Sequence, residues 1–99
     1  MTFSLKLTIG INQGLESALG AQAASSIGFF IDPRIAVKDP KKYWSNLDKM
    51  FKHNSDDLRV KLIAGICSYF EMSNNFSDLE SCVRAAKEKF LKDDLVDPN

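Results

Sequence analysis

The sequence contains few of the residues and motifs from which catalytic or metal sites are built. Its 99 residues include one histidine, one tryptophan and two cysteines, which excludes a site built on several histidines. Cys67 and Cys82 lack the CxxC or Cys/His spacing of a zinc site and lie in apolar stretches, so we expect reduced, buried thiols rather than a disulfide framework. The sequence also has no Gly-rich phosphate loop and no G-x-S-x-G elbow. We therefore predict a protein that is not an enzyme and uses no cofactor or metal.

The single histidine stands next to acidic residues. His53 precedes Asp56 and Asp57, and such a set can bind a metal or exchange protons. Asn, Ser and Asp at a junction between two helices are also the usual capping residues, and acidic side chains stabilise the start of a helix. Capping is the interpretation we favour.

An excess of charge of one sign is missing as well, because 13 basic residues balance 13 acidic ones. The distribution is uneven: residues 34 to 61 carry eight basic and four acidic side chains, a net charge of +4. Basic residues next to Tyr43 and Trp44 are typical of nucleic-acid binders. The candidate contacts are Lys41, Lys42, Lys49, Lys52, Arg59 and Lys61. A solvated lysine face is the preferred alternative, because the aromatic residues share a helical period with Leu47 and Phe51.

Long apolar runs are absent too. Leu5 to Ile11, followed by Ala21-Gln22-Ala23, loosely resembles a secretory signal, but Lys6 lies inside the run and polar residues follow it. The same residues interrupt any membrane span, which needs about 20 apolar residues. We predict a cytoplasmic protein that does not contact a membrane.

The composition, 44% hydrophobic and 26% charged, is that of one small globular domain covering residues 1 to 99. A chain of this length buries roughly 60 to 65% of the surface that its unfolded form exposes. A single core is therefore feasible.

The N-terminal segment is ambiguous. Apolar residues alternate with polar or small ones from Thr2 to Ile11, which favours a strand. No second alternating run exists to pair with it, so it would have to pair with its own copy in a dimer. The spacing at positions 7, 11, 15, 18, 19 and 22 also continues on a helical period. We favour a helix from about residue 4.

Helical signals cover most of the remaining chain. Asp39-Pro40 predicts the start of a helix over about 40 to 52, with Trp44, Leu47 and Phe51 on its apolar face. A central helix over about 55 to 72 carries an apolar stripe consisting of Leu58, Leu62, Ile66 and Phe70. Ser77-Asp78-Leu79-Glu80 has the form of a capping box and predicts a last helix to about 91, before an acidic tail from about 92. The prediction is an all-α, compact bundle of four or five helices.

Small residues recur every fourth position between Gly10 and Gly28, which would let another helix approach closely. The candidate interaction residues are Gly10, Gly14, Ala18, Ala21, Ser25 and Gly28. Tight packing within the chain, or a helix break at Gly20, is the preferred alternative to a helix-pairing dimer face.

Five aromatic residues fall in two neighbouring predicted helices. They are Tyr43, Trp44, Phe51, Tyr69 and Phe70. Such a group could line a pocket for a small ligand, but large aromatic side chains more often fill the core of a small protein.

The stretch from Ile35 to Phe51, followed by Leu58 to Phe70 and preceded by Leu19-Gly20, resembles an archaeal signal-output domain family first described in nitrifying archaea. The resemblance covers about residues 9 to 72 and rests on an acidic-Pro turn, a short helix ending in Phe and a long apolar helix. Lys52 stands where that pattern has glycine. The resemblance implies an intracellular, non-enzymatic module of signalling or regulatory proteins, with no catalytic residues.

These observations favour a helical protein-interaction or signalling-output module that self-associates, with a protein partner or a second copy as its ligand. The alternative is a nucleic-acid-binding regulatory domain that uses residues 34 to 61.

Overall fold

The computed structural model describes residues 2–52 and 55–96, and in that part of the chain every regular element is a helix. The predicted all-α class is confirmed, but six helices form rather than four or five. The extra elements arise because Gly20 divides the N-terminal helical region and a single turn forms between two prolines. The elements are α1 (Phe3–Leu19), α2 (Ala21–Phe30), α3 (Ile35–Lys38), α4 (Pro40–Met50), α5 (Ser55–Phe70) and α6 (Leu79–Val96).

The N-terminal segment is a helix, as preferred. The hydroxyl of Thr2 accepts a hydrogen bond from the backbone N–H of Leu5 at 3.1 Å and caps α1. Leu7, Ile11 and Leu15 are buried at a spacing of four, whereas Leu5 is exposed. The apparent alternation is thus an overlap between this stripe and two apolar residues that lie off it, the exposed Leu5 and the half-buried Ile9.

The helices α1 and α5 pack against each other most extensively and form the centre of the fold. Glycines lie at their crossing: a Cβ at position 65 would stand 2.5 Å from the backbone nitrogen of Gly14. A Cβ at position 14 would stand 2.7 Å from the Cα of Leu62. The backbones therefore approach more closely than any side chain allows. The radius of gyration, 13.0 Å, is close to the value of about 13 Å expected for a compact domain of this size.

The apolar stripe of α5 is confirmed, since all four predicted residues are buried. Ile63 and Cys67 are also buried and widen the stripe. On α6 the predicted face is also correct, with Leu79, Val83 and Ala86 buried and Phe90 half-buried.

The predicted apolar face of α4 is correct at Leu47 but misses its second buried residue, Tyr43. Tyr43 and Leu47 are the buried residues, while Trp44 and Phe51 are only half-buried. The start of α4 is correct: the Asp39 carboxylate accepts a hydrogen bond from the backbone N–H of Lys42 at 3.1 Å, and Pro40 takes the first turn.

The start of α6 differs from the predicted capping box. Asp78, not Ser77, is the capping residue: its carboxylate accepts hydrogen bonds from the backbone N–H of Ser81 at 2.7 Å and from the Ser81 hydroxyl at 3.2 Å. The backbone hydrogen bond from Ser81 is the main cause of the lowered pKa of Asp78. At the other end the helix continues to Val96, so the predicted tail does not begin at 92. Residues 97 to 99 lie outside the described residues.

The end of α5 contains the one strained residue of the described backbone. Glu71 has φ 58°, and the two N–H groups that follow the helix donate to carbonyls within it: Glu71 to Ser68 and Met72 to Cys67. This is the Schellman arrangement, in which glycine normally occupies the left-handed position. A residue with a Cβ is disfavoured there by about 1 to 2 kcal/mol.

Glu71→Gly is therefore expected to raise the free energy of unfolding by about 0.5 to 1 kcal/mol, because glycine adopts this conformation without strain but is freer in the unfolded chain. Urea titration measures it. Glu71→Ala is the control, since alanine keeps the Cβ and should bring no gain. Equal stabilisation by both variants would show that removing the carboxylate, not the strain, is responsible.

Candidate interaction surface

The α2 helix differs from the other long helices in its lack of charge. None of its ten residues is ionisable, and only Ala24 and Ile27 are buried. Its exposed residues, which we call the α2 surface, are Ala21, Gln22, Ala23, Ser25, Ser26, Gly28, Phe29 and Phe30. An exposed helix face normally carries charged or strongly polar side chains. The α2 surface is therefore the unusual part of the described surface.

Two aromatic side chains dominate the α2 surface. Phe29 is 89% exposed and Phe30 is 77% exposed, more than any other large apolar residue in the described part of the chain. Both point outward because Ile27 and Ile31, four positions apart, occupy the inward face. Adjacent exposed aromatic residues of this kind mark interaction sites more often than single exposed apolar residues do.

A cleft separates α2 from α1. It is lined by Asn12 and Glu16 on α1, by Ala24, Ser25 and Gly28 on α2, and by Pro33. Because the α2 residues that line this cleft are small, their side chains project little beyond the helix backbone. Another helix could therefore lie along it close to the α2 backbone.

The turn after α2 is fixed by one acidic residue. The Asp32 carboxylate accepts hydrogen bonds from the backbone N–H of Arg34 at 2.9 Å and from its guanidinium at 2.8 to 3.1 Å. The guanidinium hydrogen bonds are the main cause of the lowered pKa of Asp32. The exposed Asp32–Arg34 pair follows the two phenylalanines closely in the sequence, and its two opposite charges cancel. The turn thus adds little net charge to the α2 surface.

The six predicted interaction residues do not form one face. Gly10 and Gly14 are buried against α5, so the preferred alternative, close packing within the chain, accounts for them. Ala18 is half-buried, and Gly20 breaks the helix between it and the rest with φ 91°. Ala21, Ser25 and Gly28 are exposed.

The six predicted nucleic-acid contacts are scattered. Lys41 and Lys42 lie in the first turn of α4, whereas Lys49 and Lys52 lie at its other end. Arg59 pairs with Asp56 at 3.1 Å, and Lys61 pairs with Asp57 at 3.2 Å. These pairs reduce the positive charge that a phosphate backbone would meet. Arg59 also lies 6.0 Å from the centroid of the Trp44 ring.

The five aromatic residues proposed for a ligand pocket are also dispersed. Phe70 contacts Tyr69 edge to face, with ring centroids 6.1 Å apart, whereas Trp44 lies beside Arg59 and lines a surface cleft with Lys41. Tyr43 is fully enclosed, and burial raises the pKa of its hydroxyl. Among the residues described, no hydrogen-bond partner of that hydroxyl is found.

The remaining sequence predictions concern a metal, a membrane span and the histidine. Within residues 2–52 and 55–96 no three His, Cys, Asp or Glu side chains come close enough to hold a metal ion. Over the same ranges, no helix combines the length and the apolar character needed to cross a lipid bilayer. His53, proposed with Asp56 and Asp57 as a cap or a site, lies outside the described residues.

Comparison of the chain with protein-family models, with curated proteins and with solved structures finds no match. The resemblance to an archaeal signal-output family therefore stays a prediction.

Proposed function

We propose that this protein is a non-enzymatic helical interaction module that associates with a second copy of itself through the α2 surface. The observation that supports the proposal is the uncharged α2 helix with its two exposed phenylalanines. The resemblance to signal-output domains supports a role in signalling or regulation, in which association would be the output.

A second copy is the occupant that the chemistry of α2 favours. In a two-fold interface the same surface faces itself, so a surface with a net charge of one sign meets that same sign. The α2 helix has none, and pairing with itself therefore has no such electrostatic cost. Its small exposed residues also allow the backbones of two helices to approach. A strongly charged partner would find no complementary charge here.

The area of the α2 surface determines how strongly two copies are expected to associate. Each phenylalanine contributes about 150 to 250 Å² when buried, so two copies with their small neighbours bury roughly 1,000 Å². That area is at the lower limit of specific interfaces. We therefore expect a reversible dimer that dissociates on dilution.

The test is sedimentation velocity from low micromolar to millimolar protein, in the presence of a thiol reductant. The wild-type protein is expected to shift from monomer to dimer over this range. The double variant Phe29→Ser/Phe30→Ser is expected to stay monomeric, because it removes most of the apolar area of the α2 surface. Circular dichroism establishes that the variant keeps its helices.

The matched control is Val60→Ser, which removes an exposed apolar side chain from α5. It should leave the association unchanged. A wild-type protein that is monomeric at the highest concentration overturns the proposal. So does a folded double variant that dimerises as strongly as the wild type.

A further inference from the structure

The two cysteines of the chain lie side by side in the core. Cys67 belongs to the buried stripe of α5 and Cys82 to the buried face of α6. Their Sγ atoms are 3.8 Å apart, although the residues are separated by 15 positions and a connection between the helices. Both thiols are free, with 2% and 0% of the respective residues exposed.

We propose that Cys67 and Cys82 are a redox pair that forms an intramolecular disulfide between α5 and α6. A disulfide has an S–S distance of about 2.05 Å, so the sulfurs must approach by less than 2 Å. A change of side-chain rotamer with a small helix shift supplies a movement of this size. The inference rests on the cysteine geometry alone and is independent of the α2 surface.

The oxidant that we propose is a low-molecular-weight disulfide such as glutathione disulfide. The Cys67 thiolate attacks one sulfur of the oxidant, the S–S bond of the oxidant breaks, and one glutathione thiol leaves with a proton. The Cys82 thiolate then attacks Cys67 in the mixed disulfide and releases the second glutathione thiol. The two protein thiols lose two electrons and two protons, and the oxidant is reduced to two thiols.

The enclosure of the pair determines how the reaction is controlled. Burial raises the pKa of both thiols, and the proximity of Cys67 raises the pKa of Cys82 further. A disulfide reagent must also reach the sulfurs, which requires α6 to move away from α5. We therefore expect slow oxidation that becomes faster as the pH rises and as mild urea promotes local opening.

The bond would stabilise the packing of α6. It closes the segment between the two cysteines and so restricts the unfolded chain, and this restriction should raise the midpoint of thermal unfolding by roughly 10 °C. The reduced protein would keep a less firmly attached α6. The oxidation state of the pair would then decide how readily this helix separates.

The experiment incubates the folded protein with glutathione disulfide, alkylates the remaining thiols in denaturant and digests with a protease that cleaves after Lys and Arg. Residues 62 to 84 form one fragment, because no Lys or Arg lies between Lys61 and Arg84. An intramolecular disulfide leaves this fragment unalkylated and about 2 Da lighter than the dithiol. Further cleavage after Glu71 separates the two cysteines into pieces that stay joined until a reductant is added.

Cys67→Ala and Cys82→Ala are the controls, each able to form only a mixed or intermolecular disulfide. Oxidation should raise the melting midpoint of the wild type but of neither variant. The proposal also stands on the wild type alone, through its fragment mass and its melting points before and after oxidation. It is overturned if both wild-type thiols are alkylated, if only glutathione adducts or covalent dimers form, or if the cross-linked monomer does not melt at a higher temperature.

Discussion

Gly65→Ala is expected to lower the free energy of unfolding by about 3 kcal/mol. The added Cβ would lie 2.5 Å from the nitrogen and 2.6 Å from the Cα of Gly14, and 3.0 Å from the carbonyl oxygen of Gly10. All three are backbone atoms, so no side chain can rotate away and α1 must separate from α5. Overpacking of this kind costs about 1 to 3 kcal/mol or more, which exceeds the gain of about 1 kcal/mol in helix propensity. Urea unfolding measures the difference.

The control makes the same chemical change where there is space. Gly28 is also helical, but a Cβ there would meet no atom within 4 Å. Gly28→Ala should therefore stabilise the monomer by about 0.5 to 1 kcal/mol through helix propensity. If the two variants are equally stable at a concentration where the protein is monomeric, the close crossing of α1 and α5 is incorrect.

Of the close crossing between α1 and α5, only the α1 side could be predicted from the sequence. Small residues at positions 10 and 14 indicate that something approaches α1 closely, and tight packing within the chain was the preferred interpretation. Nothing in the local pattern points to Gly65, because the contact joins residues about 50 positions apart. Which helix packs against a face of small residues depends on the tertiary fold. The presence of such a face follows from the local spacing of the small residues.

The starts of the helices and their buried faces were each predicted only in part. Caps are local, so Asp39-Pro40 correctly marked the start of α4. The face that a short helix buries depends on its neighbours, and in α4 the buried residue is Tyr43 rather than Trp44. Which of two adjacent residues caps a helix is equally hard to predict. Ser77 and Asp78 are both common capping residues, and the Asp78 carboxylate is the group that caps α6.

The location of the candidate site was predictable only in part, and its dominant residues were not predicted. Small residues identified Ala21, Ser25 and Gly28, which the structure leaves exposed. Phe29 and Phe30 were not among the predicted interaction residues. The signal that could have found them is Ile27 and Ile31, whose spacing of four takes the inward face and turns the intervening phenylalanines outward. The cysteine pair gave no signal, since its contact forms between two helices.

The second large effect concerns the end of the central helix. Phe70 is 3% exposed, and its ring packs on Phe3 of α1 with the centroids 5.8 Å apart. Phe3 in turn packs on Phe90 of α6 at 5.7 Å, and the Lys6 ammonium lies 5.2 Å from the Phe70 centroid. The Phe70 ring therefore helps to join three helices. Its removal affects more than one contact.

Phe70→Ala is expected to lower the free energy of unfolding by about 3 to 5 kcal/mol, through the lost transfer free energy of the ring and the cavity that remains. A domain of this size has only about 5 to 15 kcal/mol in total, so the variant should melt at a much lower temperature or be unfolded. Lys42→Ala is the control. The Lys42 side chain is exposed, and the hydrogen bond to Asp39 comes from its backbone N–H, which alanine retains. That variant should change stability by less than about 0.5 kcal/mol. Equal melting temperatures for the two variants would mean that the register of α5, and the core built on Leu58, Leu62, Ile66 and Phe70, is incorrect.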